Sequence, residues 1–341
     1  MPKRSLRALR ACPVAALVAA ALVPAAAEAA DDVVAELRVV GDGGVLEPGR
    51  SYVTNSERIK TDPKARCFFN GVGGSGDRVR LPGPTAMGVL KTAGGSRGKL
   101  DPLSVTDEFG FGLGLCGIGK VHADDSNFWS VTVNHQAAQV GGDQLALNDG
   151  DDVLWNLTGF PPDPELELQA APGTAPGTLE VTVRRWVCST DFPPPDPVCE
   201  SEPVEGAAVT GGDAAVATGP AGEAEVPLGS EGKFKLQATL ADHLDSNLVR
   251  VCVSADPEAC PGPGDPHGRR IIGRKKGDDF SGTAGWDVIK SRGGNDRISL
   301  LDGGADKVRC GGGRRDRVLV AEGDDDDVIA SNCEKVKIVG G

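Results

Sequence analysis

The chain has 341 residues, a formal net charge of −13 at pH 7, 48 glycines and 24 prolines, but only 2 methionines and 1 tyrosine. Single cores rarely grow past ~250–300 residues, so two or three domains are expected. The acidic excess argues against nucleic acid and anionic lipid as partners, and the scarcity of long amphipathic patterns leaves strands and turns to carry the fold.

Residues 1–30 read as a signal peptide. Lys3, Arg4, Arg7 and Arg10 make a basic start, "PVAALVAAALV" (13–23) an apolar stretch, and Ala27–Ala29 an Ala-x-Ala cut. Cys12 lies ahead of the apolar stretch rather than after it, which argues against lipidation. No later stretch reaches the ~18 apolar residues of a membrane-spanning segment, so a released, extracellular or cell-surface product is expected. Without residues 1–30 the charge is −16, with −17 on residues 31–264 and +1 on residues 265–341.

Eight of the nine cysteines follow that segment. Eight cysteines allow 105 pairings. Clustering within compositional segments favours Cys67–Cys116, Cys188–Cys199, Cys252–Cys260 and Cys310–Cys333. None shows the Cys-x-x-Cys spacing of a zinc site, and export implies an oxidising environment.

Residues 31–160 form the first expected domain. "VVAELRVV" (33–40) and "RSYVTN" (50–55) read as strands. "TAMGVLKTAG" (85–94) reads as a short helix capped by Thr85. "FWSVTVN" (128–134) and "DVLWNL" (152–157) alternate like half-buried strands, with "LNDGDD" (147–152) as a turn. Trp129 and Trp155 fall on facing strands, as core residues or as ligand-stacking ones. "FGFGLGLCGIG" (109–119), "WSVTVN" (129–134), "QVGGDQLALNDGDDVLW" (139–155) and the helix together resemble the β-grasp-like family related to the carboxy-terminal domain of transcobalamin. His135 stands where that family usually has glycine after the Val-Asn strand end. The resemblance implies, as one alternative, a corrinoid-like small-molecule site.

Residues 161–264 read as short strands at 8–12-residue intervals, the pattern of a β-sandwich. "GAAVTGGDAAVATGPAGEAEVPL" (206–228) is similar to the start of carboxypeptidase-regulatory or immunoglobulin-like domains, and "PGPGDPHGRR" (261–270) reads as a linker.

In residues 265–341, aspartates recur at 279, 287, 296, 306, 316 and 327, and Ile289, Ile298, Val308, Val318 and Ile329 each follow two positions after one of them. This resembles the hemolysin-type (repeats-in-toxin) motif G-G-x-G-x-D-x-U-x. Glycine permits tight turns, and aspartate supplies the hard oxygens that Ca²⁺ takes in groups of 6–8. The resemblance implies a calcium-binding β-roll with two repeats per coil, so that residues roughly eighteen apart stack. Cys310 and Cys333 would then sit about one coil apart. The candidate ligands are Asp279, Asp287, Asp296 and Asp306, with Gly277, Gly285 and Gly294. Drifting intervals and the adjacent Arg297, Lys307 and Arg317 predict weak binding. Under the alternative reading, the aspartates cap turns by accepting backbone N–H bonds.

Other motifs fail on context. "GLCGIGKV" (114–121) lacks the Ser/Thr of a phosphate-binding loop, and "GVGGSG" (71–76) meets Pro82 and Pro84 where a helix should begin. Ser96 in "GGSRG" follows a helix instead of a strand, which leaves a hydrolase the least favoured class. His122, His135, His243 and His267 are scattered. "NLT" (156–158) is a formal glycosylation sequon.

The expected fold is mainly β and multidomain: a β-grasp-like α+β domain, a β-sandwich of immunoglobulin-like or carboxypeptidase-regulatory-like type, and a short parallel β-roll or solenoid. The expected role is that of a secreted, non-enzymatic binding or structural protein for an extracellular ligand or surface polymer.

Overall fold

The computed structural model describes residues 32–67, 73–95, 98–110, 112–170, 175–191, 194–255, 268–324 and 326–340. The expected signal peptide and Ser96 lie outside them. The described residues are mainly β, with one α-helix among them, Ala86–Gly94.

That helix begins where the sequence places a cap, because Thr85 Oγ1 accepts from Gly88 N at 3.1 Å. Met87, Val89 and Leu90 pack it onto Leu37, Val39 and Tyr52 of the strands Val33–Gly41 and Gly44–Thr54. Val33–Gly41 also pairs in parallel with Asp152–Thr158, which pairs antiparallel with Phe128–Val133. The turn after Phe128–Val133 is tight with His135 in it. Val133 pairs with Gln136, while Asn134 (φ 49°) and His135 (φ 64°) both take the left-handed conformation.

Residues 165–253 form two four-stranded sheets. Alternate residues, among them Leu166, Leu168, Val181, Val183, Val226, Leu236 and Val251, share a second core. This core arises from the period-2 alternation of Glu165–Ala170, Gly177–Cys188 and Gly232–Thr239.

Residues 271–339 wind a parallel β-solenoid of about three turns. One face stacks Ile271–Ile272, Val288–Lys290, Lys307–Arg309 and Val328–Ile329; the other stacks Asp279–Ser281, Arg297–Leu300, Arg317–Ala321 and Lys335–Val339. Phe280, Ile298 and Val318 form one inward column, and Ile289 and Val308 part of another. The first solenoid strand adds to the front sheet, with Ile271 beside Ser51, making one sheet of nine strands. Val34 and Val53 of the front domain complete the solenoid core and close its first coil.

Three disulfides agree with the sequence pairing: Cys67–Cys116, Cys188–Cys199 and Cys310–Cys333. The last joins the final two coils, with Cα atoms 5.0 Å apart, near the ~4.8 Å strand spacing. Cys260, and with it the expected Cys252–Cys260 pair, lies outside the described residues. No helix of the described residues is long and apolar enough to cross a membrane.

Candidate functional site: two aspartate corners of the solenoid

Successive solenoid coils place acidic residues at two corners, where each carboxylate accepts the backbone N–H of the corresponding residue one coil earlier. On one corner Asp278 N donates to Asp296 Oδ1 (3.0 Å), Asp296 N to Asp316 Oδ1 (2.8 Å) and Asp316 N to Glu334 Oε2 (2.8 Å). On the other Arg269 N donates to Asp287 Oδ1 (2.5 Å), Asp287 N to Asp306 Oδ1 (2.7 Å) and Asp306 N to Asp327 Oδ1 (2.9 Å). These bonds supply the turn-capping role, and Asp278, Asp287, Asp296, Asp306 and Asp316 are all buried for it.

The repeat alignment needs one correction. Asp278 holds the first corner position, while Asp279 is exposed, pairs in register with Arg297, and donates its N–H to Asp32 Oδ2 at 2.8 Å. Two adjacent aspartates in "KKGDD" left the register open by one residue, and a one-residue shift reverses the face. The same alternation corrects the expected charge neutralisation. Arg297, Lys307 and Arg317 are exposed, while the aspartates that precede them are buried, and none of the three is among the largest effects on the corner aspartates. Gly277, Gly285 and Gly294 serve close stacking of turns: a Cβ on Gly294 would lie 2.2 Å from Gly277 N, and one on Gly304 2.2 Å from Gly285 O.

The two corners differ in how their charge is met. At the first, Arg274 supplies a built-in cation, with Nε 2.6 Å from Asp278 Oδ1 and Nη2 2.5 Å from Asp32 Oδ1. At the second, Asp302 and Asp324 join Asp287, Asp306 and Asp327, and the largest charge effects on Asp306 and Asp327 come from neighbouring aspartates. A Cβ on Gly282 would lie 2.9 Å from Asp302 Oδ2, 3.1 Å from Asp287 Oδ2 and 3.2 Å from Asp306 Oδ2. Three carboxylate oxygens therefore surround one small space that glycine leaves open. Asp287 Oδ2 accepts from Thr283 N at 2.6 Å. The Oδ2 atoms of Asp302, Asp306, Asp324 and Asp327 are buried and accept no hydrogen bond among the described residues. Burial first, then the neighbouring aspartates, pushes Asp306 up to about 9, and burial raises Asp287 and Asp327 to about 6.

Asp302 was not singled out from the sequence, and Asp324 falls in "GDDDD" (323–327), an acidic concentration that reads as a solvated turn. The available signal was positional: Thr283 and Asp302 each precede a corner aspartate by four residues.

A second ionised cluster, also unforeseen, lies where the front domain meets the following sheets. Arg38 forms ion pairs with Glu165 and, at 3.4 Å, with Asp152. His135 Nδ1 lies 2.9 Å from Glu165 Oε1, and the ring stacks on Trp186, whose Nε1 donates to Glu167 at 2.7 Å. His135, Asp152 and Glu165 offer three ligand atoms within 4.8 Å of one another. The Arg38 guanidinium among them already supplies the cation, so this is an ion-pair lock. Burial opposes charge on His135, but the bond to Glu165 and the charges of Glu165, Asp152 and Glu167 outweigh it and raise the pKa.

Trp129 and Trp155 are core residues, 7% and 2% exposed. Between them and Phe109, Leu113 and Val131 lies a cavity of about 230 Å³ without charged lining. Trp155 Nε1 donates to Ala86 O at 3.2 Å, whereas Trp129 Nε1 finds no partner among the described residues. "GLCGIGKV" forms the buried strand Gly114–Ile118 and the short strand Val121–His122. Asn156 of the sequon is 3% exposed within a strand. His267 lies outside the described residues, and His243 Nδ1 contacts Ala241 O at 2.8 Å in a turn.

No protein-family model matches the chain, and no curated protein matches it either.

Proposed function

We propose that this is an exported, non-enzymatic binding or structural protein whose C-terminal solenoid is ordered by Ca²⁺ at the Asp287–Asp302–Asp306 corner. We read residues 31–160 as a β-grasp-like domain and residues 161–264 as a β-sandwich, with the solenoid as a degenerate repeats-in-toxin β-roll. The observation that carries the calcium reading is the convergence of three Oδ2 atoms beside Gly282, two of them without a hydrogen bond among the described residues. Buried carboxylates this close repel one another and lack the compensation that water or a donor would give. A hard divalent cation meets both needs, since Ca²⁺ takes carboxylate oxygens at ~2.3–2.6 Å. Asp324 and Asp327 complete the acidic wall; at the opposite corner Arg274 meets Asp278, although Asp296 Oδ2 and Asp316 Oδ2 are likewise buried without a hydrogen-bond partner among the described residues.

Calorimetric titration of the full chain tests this. The full chain is required because the solenoid shares its sheet and core with the front domain. Saturable heat with Ca²⁺ that Asp302→Asn abolishes is expected. No heat, or heat unchanged in Asp302→Asn, contradicts the reading.

A second reading, small-molecule binding by the front domain, is favoured by the cavity beside Trp129. Its volume is below the ~300–1,000 Å³ of drug-sized sites, and it suits a single apolar ring better than a corrin.

A further inference from the structure

We propose that this protein assembles with copies of itself, a row of cations on the solenoid docking against a row of carboxylates on the middle segment of the next copy. The contact uses none of the residues of the calcium corner.

The cation row lies on the outer face of the solenoid sheet that begins at Asp279–Ser281. Arg297 is in register with Arg317, and Arg317 with Lys335. Their strand neighbours Ile298 and Val318 fill the core, and all three cations are exposed. Adjacent members stand one strand spacing apart, ~4.8 Å. None of them forms an ion pair among the described residues. Asp279 closes the row at one end. Asp296, Asp316 and Glu334 precede the three cations in the chain, but each turns its carboxylate to a corner N–H.

The carboxylate row lies on the sheet face that looks away from the second core. Glu180 is the direct cross-strand partner of Glu225, and Glu223 stands two residues along, opposite Thr182. Leu179, Val181 and Val226 beside them are buried in that core. The three carboxylates are exposed and form no ion pair among the described residues. Arg184 and Arg185 of the same strand are held by Ser201 and Glu202. Residues 161–264 hold 17 acidic against 5 basic residues, so the row sits in a negative field.

Like charges set side by side destabilise a sheet, and no ion pair among the described residues offsets that cost in either row. The rows are equal in number and opposite in sign, and each falls within about 10 Å. A linear polyanion would answer the cations alone, whereas a second copy answers both rows. Leu319 and Pro227, half-buried on the same two faces, add apolar contact. The −13 charge of the chain opposes this only at short range, because physiological salt screens it beyond ~8 Å. Since the two patches differ, the contact is heterologous and repeats head to tail.

Sedimentation velocity of the full chain with Ca²⁺, at concentrations up to about 1 mM, tests this. Association in low salt that weakens at least tenfold at about 0.5 M NaCl is expected. Arg317→Glu and Glu225→Lys should each sediment as monomers, with melting curves like the parent's. Mixed in equal amounts they should associate again. The intact cation row of one then meets the intact carboxylate row of the other. Lys335→Glu with Glu180→Lys repeats the test at independent positions. No association of the parent overturns the proposal. So does association that survives Arg317→Glu, as calcium bridging of two acidic faces would, or failure of the paired variants to associate. Heparin bound by the parent and lost in Arg317→Glu, without self-association, would assign the cation row to a polymer instead.

Discussion

The imidazole of His135 stacks on the indole of Trp186 with ring centroids 4.9 Å apart and planes 9° from parallel. His135 belongs to the front domain and Trp186 to the strand Gly177–Cys188 that follows it. The contact is made from a backbone conformation (φ 64°) that glycine would hold at less cost. The same ring meets Glu165, so a local penalty is exchanged for a bond between two cores.

The junction is therefore pH-dependent. The pKa of His135 is raised above its ordinary 6.5 in the folded chain. Its stabilising contribution is complete below 6.5 and is lost as pH rises through the higher folded value. Melting curves should show a falling transition temperature from about pH 6 upward. In His135→Gln this slope should flatten. A slope identical in both proteins would remove His135 from the account.

Gly282→Ala addresses the cation corner by volume alone. The added methyl would sit 2.9–3.2 Å from three carboxylate oxygens, filling the space assigned to the ion. Gly282 has no positive φ, so alanine imposes no conformational strain there. Loss of the calcium-induced melting shift is expected, and retention of the full shift would place the ion elsewhere.

Asp306→Asn separates repulsion from ligation. Asp306 is 1% exposed and is pushed up to about 9 by burial and its aspartate neighbours. The amide keeps an acceptor for Asp287 N and removes a carboxyl that, with its pKa raised to about 9, the chelated protein must hold protonated at neutral pH at a cost in stability. The variant should melt higher than the parent in chelator at pH 8 and respond less to Ca²⁺. A lower melting point in chelator would show that the carboxylate is compensated by other means.

Cys333→Ser tests the staple between the last coils. Releasing a loop of this size costs about 3 kcal/mol in the chain-entropy account. The loss should be local, because Val336 and Ile338 are already 50% and 67% exposed at the open end of the solenoid. Hydrogen exchange should accelerate across Lys335–Val339 and stay unchanged at Ile298. Uniform acceleration through the solenoid would mean that its coils unfold as one unit.

Local features were legible in the sequence. Thr85 is a helix cap because its side chain answers an N–H three residues away, and Cys310 finds Cys333 because coil length is written in the repeat. The cation corner was half legible. Asp287 and Asp306 stand out by period, but Asp302 lies on a turn whose path the period does not specify. The charges of Arg297, Lys307 and Arg317 misled, since neighbours along a strand face opposite ways. Least legible were the contacts between segments. Nothing near Arg38 in the chain announces Glu165, 127 positions away, and nothing near Ile271 announces that it continues the sheet beside Ser51.

The most direct measurement is a crystal structure of the full chain grown with Ca²⁺, with the ion located by anomalous scattering. The account predicts a calcium peak beside Gly282, ligated by Asp287, Asp302 and Asp306. An empty corner at saturating calcium, or an ion held instead between Asp296 and Asp316, would contradict it.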